Sequence, residues 1–588
     1  MAPTRRARIR PFFVVLALHV SLGAQYDPKA VEPIPRLKGT FFVGGGGTLP
    51  EEIFDRFVQM AGGETAKIVI LSTAKIEDAV RTPFTKRKAK SLDGIHADSK
   101  EAAGAADLGA PIGKATGVWI VGDRGSKFAE VFRGTPIETA LREVIARGGV
   151  IGGNGDITRA LTKVMIESGQ SKAVIGTGLD LIPGAVIDDH YSTKSRRARL
   201  LGVLAARPSL VGLGVDEKTA MVLHQRFIDV LGEGSVYGCV SASPKRKLRV
   251  DRMNRQESPA SQRRTQRSGG GKQRSRRRSG RRRGVATSRT FRPDRLGDLI
   301  ALSRSAHARV ARNFPAWSPK TPNVTKGTLI IIGGGGMARG LMDHFIELAG
   351  GKEKARLVYV PCSEAEKIDQ EPRIVRSWRQ TGVKSADWIH TKDRNAANTD
   401  KKILDTLRNA TGIFFGGGRQ WNLVDSYQNT IAHKLMHDVL ARDGVIGGSS
   451  AGASIQASYM VRGNSLGNLD PMAEGYETGL GFLTGVAVDQ HFSQRGRLPD
   501  MTSLVKTYPE LLGIGLDEAS SIVVQGTIAR AFSRKGRKVH IYDRTKPVVS
   551  GKPDYIVLEH GQSYDLKNRR MVEAAGKKSG KQQVGAKK

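Results

Sequence analysis

Cysteine is nearly absent: 588 residues include only two, Cys239 and Cys362. Two thiols cannot build a disulfide framework or a cysteine-rich zinc site, and these two fall in segments that read as different domains. Acidic residues are scarce beside basic ones, 56 against 94, giving a formal net charge of +38. Long apolar runs are lacking as well. Residues 11–22 form one, too short to cross a bilayer comfortably, and no later segment approaches transmembrane length. That run follows Arg5, Arg6, Arg8 and Arg10 and precedes Gly23-Ala24, the pattern of an export signal over residues 1–24. The expectation is a chain exported to a periplasm or the cell exterior, with no integral membrane span. The glycine runs at 44–47 and 333–336 offer neither a dinucleotide fingerprint with its ribose-binding acid nor a Walker lysine. They read as strand-end turns that let the backbone approach a site. No metal-ligand cluster is evident, so neither a metal nor an organic cofactor is expected.

What is present, abundantly, is internal repetition. KGTFFVGGGG (38–47) returns as KGTLIIIGGGG (326–336), and FDRFVQMAGG (54–63) as MDHFIELAGG (342–351). AKIVILSTA from Ala66 is matched by ARLVYVPCS from Ala355, and ARGGVIGGNGD (146–156) by ARDGVIGGSSAG (441–452). VIDDHYS (186–192) mirrors VDQHFS (488–493), and VGLGVDEKTAMV from Val211 mirrors LGIGLDEASSIV from Leu512. Six matches in one order make the chain a tandem duplication. Short Val/Ile/Leu runs ending in glycine alternate with helical patterns, which implies sheets buried on both faces and therefore two parallel doubly wound α/β domains. In such folds ligands sit at the carboxyl ends of strands. The expected layout is an α/β half over residues 25–243, a second over 323–566, a basic linker over 244–322 and a basic tail over 567–588. Between Lys245 and Arg283 seventeen Lys or Arg stand against two acids with few large apolar residues. That composition predicts a disordered segment, acting either as a solvated spacer or as a contact for a polyanion.

The strongest local signal for chemistry is Gly448-Ser449-Ser450-Ala451-Gly452, directly after an apolar strand and before the run ASIQASYM, which reads as helical. This is G-x-S-x-G in the strand–turn–helix setting of a nucleophile elbow. The turn needs small neighbours at 448 and 452, and it would present Ser450 at the positive end of a helix. The N–H of Ala451 is one candidate oxyanion donor, and Gly417 or Gly418 the other. A serine needs a base, and His491, just past another apolar strand, is placed to supply one. The acidic partner stays open among Glu518, Asp470, Glu474 and Glu477, with Glu518 favoured because Glu217 repeats it in the first half.

GGSSAGAS, DQHFSQRGR and GIGLDEASS, in that order, resemble the cyanophycinase-type serine peptidases, relatives of dipeptidase E with the flavodoxin-like fold of class I glutamine amidotransferases. The likeness covers about residues 326–543 well and the first half more faintly. It implies Ser450 as nucleophile, His491 as general base, Gln420 as a substrate contact, and Asp489 and Gln490 in the same pocket. It also implies that Arg495 and Arg497 recognise a substrate carboxylate, a task suited to guanidinium forks. The implied substrate is an aspartyl peptide, such as cyanophycin's β-Asp-Arg unit or a β-aspartyl dipeptide. The chain departs from the family where a further arginine is expected: it runs Leu498-Pro499-Asp500. In the first half Gly155 replaces the nucleophile and Gly125 replaces Gln420, while His190 persists. That half reads as a degenerate domain packed on the active one as a built-in dimer partner. The rival reading is a non-catalytic binding protein with two degenerate halves and a polyanion-binding linker. An amidotransferase-like hydrolase is a further alternative, against which stands serine where that lineage commonly uses cysteine.

Overall fold

The computed structural model describes residues 34–104, 106–194, 196–254, 296–311 and 320–573. The expected export signal, most of the basic linker and most of the tail lie outside these residues. Two α/β halves follow one plan. In the C-terminal half a nine-stranded sheet begins with five parallel strands, in spatial order Ser385–Trp388, Arg356–Cys362, Gly412–Gly418, Val445–Ser449 and Val324–Ile332. In the N-terminal half the corresponding five are Ser91–His96, Lys67–Ser72, Gly117–Val121, Val150–Asn154 and Thr40–Gly44, again parallel.

The sheets are nevertheless mixed, not wholly parallel. Beyond Val324–Ile332 the chain adds Ser520–Gly526 and Ile528–Ser533 in antiparallel register, and beyond Thr40–Gly44 it adds Thr219–His224 and Phe227–Gly232 in the same way. The first strand of each hairpin, Thr219–His224 and Ser520–Gly526, is largely buried on both faces, so the alternation that marks a half-solvated antiparallel strand is missing there. Ile528–Ser533, at the outer side, alternates exposed and buried residues. Each half carries a second, smaller sheet. In the C-terminal half it contains Ala457–Met460, Leu483–Gln490, Leu512–Leu516, Val539–Asp543 and Ile556–Leu558. In the N-terminal half it contains Ala185–Asp188, Val211–Val215, Ser235–Val240 and Arg249–Asn254.

Part of the segment expected as linker is ordered. Arg249–Asn254 pairs along Ser235–Val240, and after the basic stretch Gly297–Asp298 joins the sheet edge at Phe227–Ile228. The helix Leu299–Val310, capped by the Asp298 carboxylate accepting from the Ala301 N–H at 3.0 Å, buries Leu299, Leu302 and Ala306 in the N-terminal core. Both cysteines are free and buried. No described helix is long and apolar enough to cross a membrane.

The halves meet through buried ion pairs. Arg226, 2 % exposed, reaches Asp298 at 2.7 Å and Asp425 of the other half at 2.5 Å. Arg309 pairs with Glu474 and Arg246 with Glu477, both at 2.5 Å. Phe227 lies within the C-terminal core cluster. Removing one member of such a pair strands its partner's charge, a loss of about 3–5 kcal/mol.

Candidate functional site

The carboxyl ends of the parallel strands in the C-terminal half converge on Ser450. Val445–Ser449 ends in a turn that holds Ser450 at φ 59°, ψ −116°, a left-handed conformation that costs a non-glycine residue about 1–3 kcal/mol. The flanking glycines are required by space. A Cβ at Gly448 would stand 2.2 Å from the Gly452 carbonyl oxygen, and one at Gly452 would stand 2.2 Å from the Phe415 carbonyl oxygen. Helix follows for a single turn only, Ala451–Ser454, and residues 457–460 form a strand. The helical run expected over ASIQASYM is therefore cut to one turn, and a single turn carries little macrodipole.

His491 follows the strand Leu483–Gln490, itself at φ 49°, and its Nε2 lies 2.8 Å from Ser450 Oγ. On the other side of the ring, Nδ1 lies 2.7 Å from Glu518 Oε1. A carboxylate there fixes the proton on Nδ1, so Nε2 presents its lone pair and accepts from the serine hydroxyl. Burial pushes the His491 pKa below its ordinary value, and the nearby Arg495 guanidinium pushes the same way, while the Glu518 hydrogen bond opposes them. The ring is thus neutral at pH 7. Of the four acids open from sequence, Glu518 alone is in contact with the imidazole. Glu474 pairs with Arg309, Glu477 with Arg246, and Asp470 closes a turn by accepting from the Met472 N–H.

The glycine run 333–336 explains how these groups meet. The Gly333 carbonyl accepts from the His491 N–H and the Gly334 carbonyl from the Ala519 N–H, both at 2.8 Å, so one loop braces both partner loops. A Cβ at Gly334 (φ +94°) would lie 2.5 Å from the imidazole, and one at Gly335 2.6 Å from the Glu518 carboxyl. Asp517, which the sequence reading left aside, accepts from the Ser493 and Lys538 N–H groups and ties the residues after His491 to the neighbouring strand. Its counterpart Asp216 does the same for Ser192 and Ser235. Recurrence of this acid in both halves was the available signal.

Other candidates are placed differently from expectation. Arg497 is 3 % exposed, donates to Asp489 at 2.8 Å and to the Gln490 carbonyl at 2.6 Å, and so is committed internally instead of being open to a substrate carboxylate. Asp489, 1 % exposed, is saturated by Arg497 and by Arg462, whose Nε lies 3.1 Å from both carboxylate oxygens. It stabilises the pocket floor and is not open to a ligand. Arg462 also pairs with Asp500 at 2.5 Å. It had no sequence signal, lying in an irregular stretch at φ 62°. Gln420 is buried, and its amide nitrogen donates to the Val461 and Arg462 carbonyls at 2.7 and 2.9 Å, so this end of the side chain anchors that stretch. Gln490 is 5 % exposed, and its buried side-chain oxygen has no donor among the described residues. Arg495 is exposed. Gly417 is exposed beside Ser450, its Cβ direction pointing to within 3.4 Å of the serine Cβ, and Ala451 is buried under the turn.

The N-terminal half keeps the scaffold without the serine. His190 (φ 46°) contacts Glu217 through Nδ1, and a Cβ at Gly46 would collide with its ring at 2.2 Å. Gly155, at φ +73°, occupies the elbow position. The next residue, Asp156, accepts from the Gly125 N–H at 3.0 Å and pairs with Arg159. Among the described residues no group of three or more His, Cys, Asp or Glu is arranged to hold a metal ion.

A serine hydroxyl, an imidazole and a carboxylate in hydrogen-bonded series on a strand-end elbow define an arrangement capable of acyl transfer. Family-level similarity to known peptidases falls on the same half. The model of peptidase family S51 matches residues 329–532. A cyanophycinase of Synechococcus elongatus is 33% identical over 199 residues, covering 33% of this chain and 61% of that protein. A cyanophycinase of Geminocystis herdmanii (strain PCC 6308) is 29% identical over 205 residues, 34% of this chain and 75% of that protein. The chain thus spans less than two thirds of the first curated relative. A solved peptidase from an acI-B1 Actinobacterium aligns over 41% of this chain and 97% of its own, at 20% identity and TM-score 0.31. A C-terminal region of this protein resembles the S51 family of cyanophycinases and peptidase E.

Proposed function

We propose that the protein is a serine peptidase acting through its C-terminal half. The observation that carries this reading is the unbroken series Ser450 Oγ–His491 Nε2 at 2.8 Å and His491 Nδ1–Glu518 Oε1 at 2.7 Å. His491 takes the proton as Ser450 attacks an amide carbonyl, then returns it to the leaving amine. Water, deprotonated by the same ring, hydrolyses the acyl-enzyme. Glu518 orients the ring and offsets the imidazolium charge. The N–H groups of Ala451 and Gly417 serve as the oxyanion donors, a role worth about 10²–10³ per donor in rate.

The substrate class is an aspartyl peptide, with a β-Asp-Arg unit or a β-aspartyl dipeptide as the first choice. With Arg497 and Asp489 engaged with each other, Arg495 receives the substrate carboxylate. Gln490, its side-chain oxygen buried, and Gln420 shape the wall. The parallel strands of each half extend a flavodoxin-like core, and the N-terminal half acts as a built-in dimer partner. Export rests on residues 1–24, and a polyanion contact on the basic stretch Lys245–Arg283 of the linker. Wild type and Ser450→Ala are to be offered cyanophycin and β-aspartyl dipeptides. Hydrolysis by wild type that Ser450→Ala abolishes is the expected result. Equal inactivity of both, with salt-sensitive polyanion binding, would replace this reading with that of a binding protein.

A further inference from the structure

The helix Trp421–Tyr427 starts at the residue after Gln420, so it carries the loop 416–420 that borders Ser450. Its outer anchor comes from the other half of the chain. Arg226, at the tip of the hairpin joining Thr219–His224 to Phe227–Gly232, lies with its guanidinium 4.4 Å from the Trp421 ring centre. It pairs with Asp425 on the same helix at 2.5 Å, donates to the Tyr476 hydroxyl at 2.7 Å and is held from behind by Asp298. Asp425 receives a second N-terminal guanidinium, Arg304, at 2.9 Å. On its inner side the loop is tied by Gln420 to residues 461 and 462 and by Arg419 to the Asn464 and Gly467 carbonyls. A helix of under two turns has little intrinsic stability, so its place depends on tertiary contacts: Trp421, Leu423, Val424 and Tyr427 pack in the C-terminal core, and Arg226 and Arg304 hold its outer side.

We propose that Arg226 is a positioning residue for the serine site of the other half: it fixes the Trp421–Tyr427 helix and through it the loop beside Ser450. This rests on the serine-peptidase reading above and gives the nucleophile-free half a task, that of a clamp on its neighbour's site. Arg309 provides the control. It too is a buried arginine crossing between the halves, pairing with Glu474 and donating to the Ser241 and Lys247 carbonyls, but it has no hydrogen bond or ion pair to the 421–427 helix.

The test compares full-length wild type, Arg226→Gln, Arg226→Lys and Arg309→Gln. A β-Asp-Arg dipeptide gives kcat and KM, a fluorophosphonate gives the rate at which Ser450 is phosphonylated with loss of fluoride, and amide exchange reports on residues 416–427. A loop loosened by a fraction of an ångström should lower kcat and the phosphonylation rate about tenfold in Arg226→Gln, with faster exchange confined to 416–427. Arg226→Lys should recover part of both, and Arg309→Gln should lose thermal stability while keeping kcat within about twofold. Should Arg226→Gln fail to fold, the lysine variant is judged by the same criteria. Wild-type exchange and phosphonylation in a folded Arg226 variant would overturn the proposal, as would an equal fall in kcat for Arg309→Gln. If wild type neither hydrolyses the dipeptide nor takes the fluorophosphonate, the serine reading fails, while exchange at 416–427 still decides whether Arg226 holds the loop.

Discussion

A single methyl group on Gly334, driven against the His491 imidazole, should disable the site. A Cβ there would stand 2.5 Å from the imidazole Cε1 and 2.6 Å from Nε2. Ordinary contact between such atoms is about 3.5–4 Å, so the ring must retreat by about 1 Å. The 2.8 Å bond from Ser450 to Nε2 would then exceed the range of a working hydrogen bond. A misplacement of about 1 Å costs roughly 10²-fold in rate, and complete loss of general-base help costs up to about 10⁴-fold. The left-handed backbone at this position (φ +94°) adds about 1–2 kcal/mol of strain for alanine. Gly334→Ala should thus lose some thermal stability and at least about 10² in kcat/KM on a β-aspartyl dipeptide. Gly46→Ala supplies the comparison, because it drives the same methyl into the His190 ring of the half without a nucleophile. Stability should fall there while kcat/KM stays near wild type. A folded Gly334→Ala protein within about threefold of wild-type kcat/KM would refute the reasoning, since a 1 Å shift of the base could not be so cheap.

Other expectations concern charge. The acid limb of kcat/KM should have its midpoint below about 6.5, because burial and Arg495 depress the His491 pKa. Arg495→Gln should move that limb upward, and an unmoved limb would remove Arg495 from the site's electrostatics. Glu518→Gln leaves a side chain of the same shape and should reduce kcat about 10²–10⁴-fold; near-wild-type turnover would mean that the carboxylate does not orient the ring. Buried His433 donates to the Leu480 carbonyl and accepts from the Asn429 N–H, and burial pushes it down to about 3. The unfolded chain binds a proton below about pH 6.5 that the folded chain refuses. Its stabilising contribution is therefore complete above that pH and falls by about 1.4 kcal/mol per unit on acidification. Urea unfolding at pH 7 and pH 5 should show a shallower pH dependence in His433→Asn, and identical slopes would contradict the assignment.

The sequence made the duplication, the strand ends and the glycine elbow legible, because each depends on local chemistry: apolar runs, and glycines where no Cβ fits. It could not reveal the antiparallel extensions, since Ser520–Gly526 is covered on both faces and shows no alternation. Nor could it assign Arg497. A guanidinium fork suits a substrate carboxylate and a buried aspartate equally well, and Asp489 stands at the right distance only once the fold is formed. Arg462 was invisible for the same reason, because its two acidic partners, Asp489 and Asp500, are distant in sequence. Helix Leu299–Val310 was obscured by the basic stretch before it, and it earns its place by covering the N-terminal core.

The most direct measurement is to treat the protein with a fluorophosphonate and map the adduct by mass spectrometry. The account predicts one stoichiometric adduct on the peptide containing Ser450, formed at a rate that His491→Ala reduces by orders of magnitude. An unmodified Ser450, or labelling that proceeds equally well without the imidazole, would contradict it.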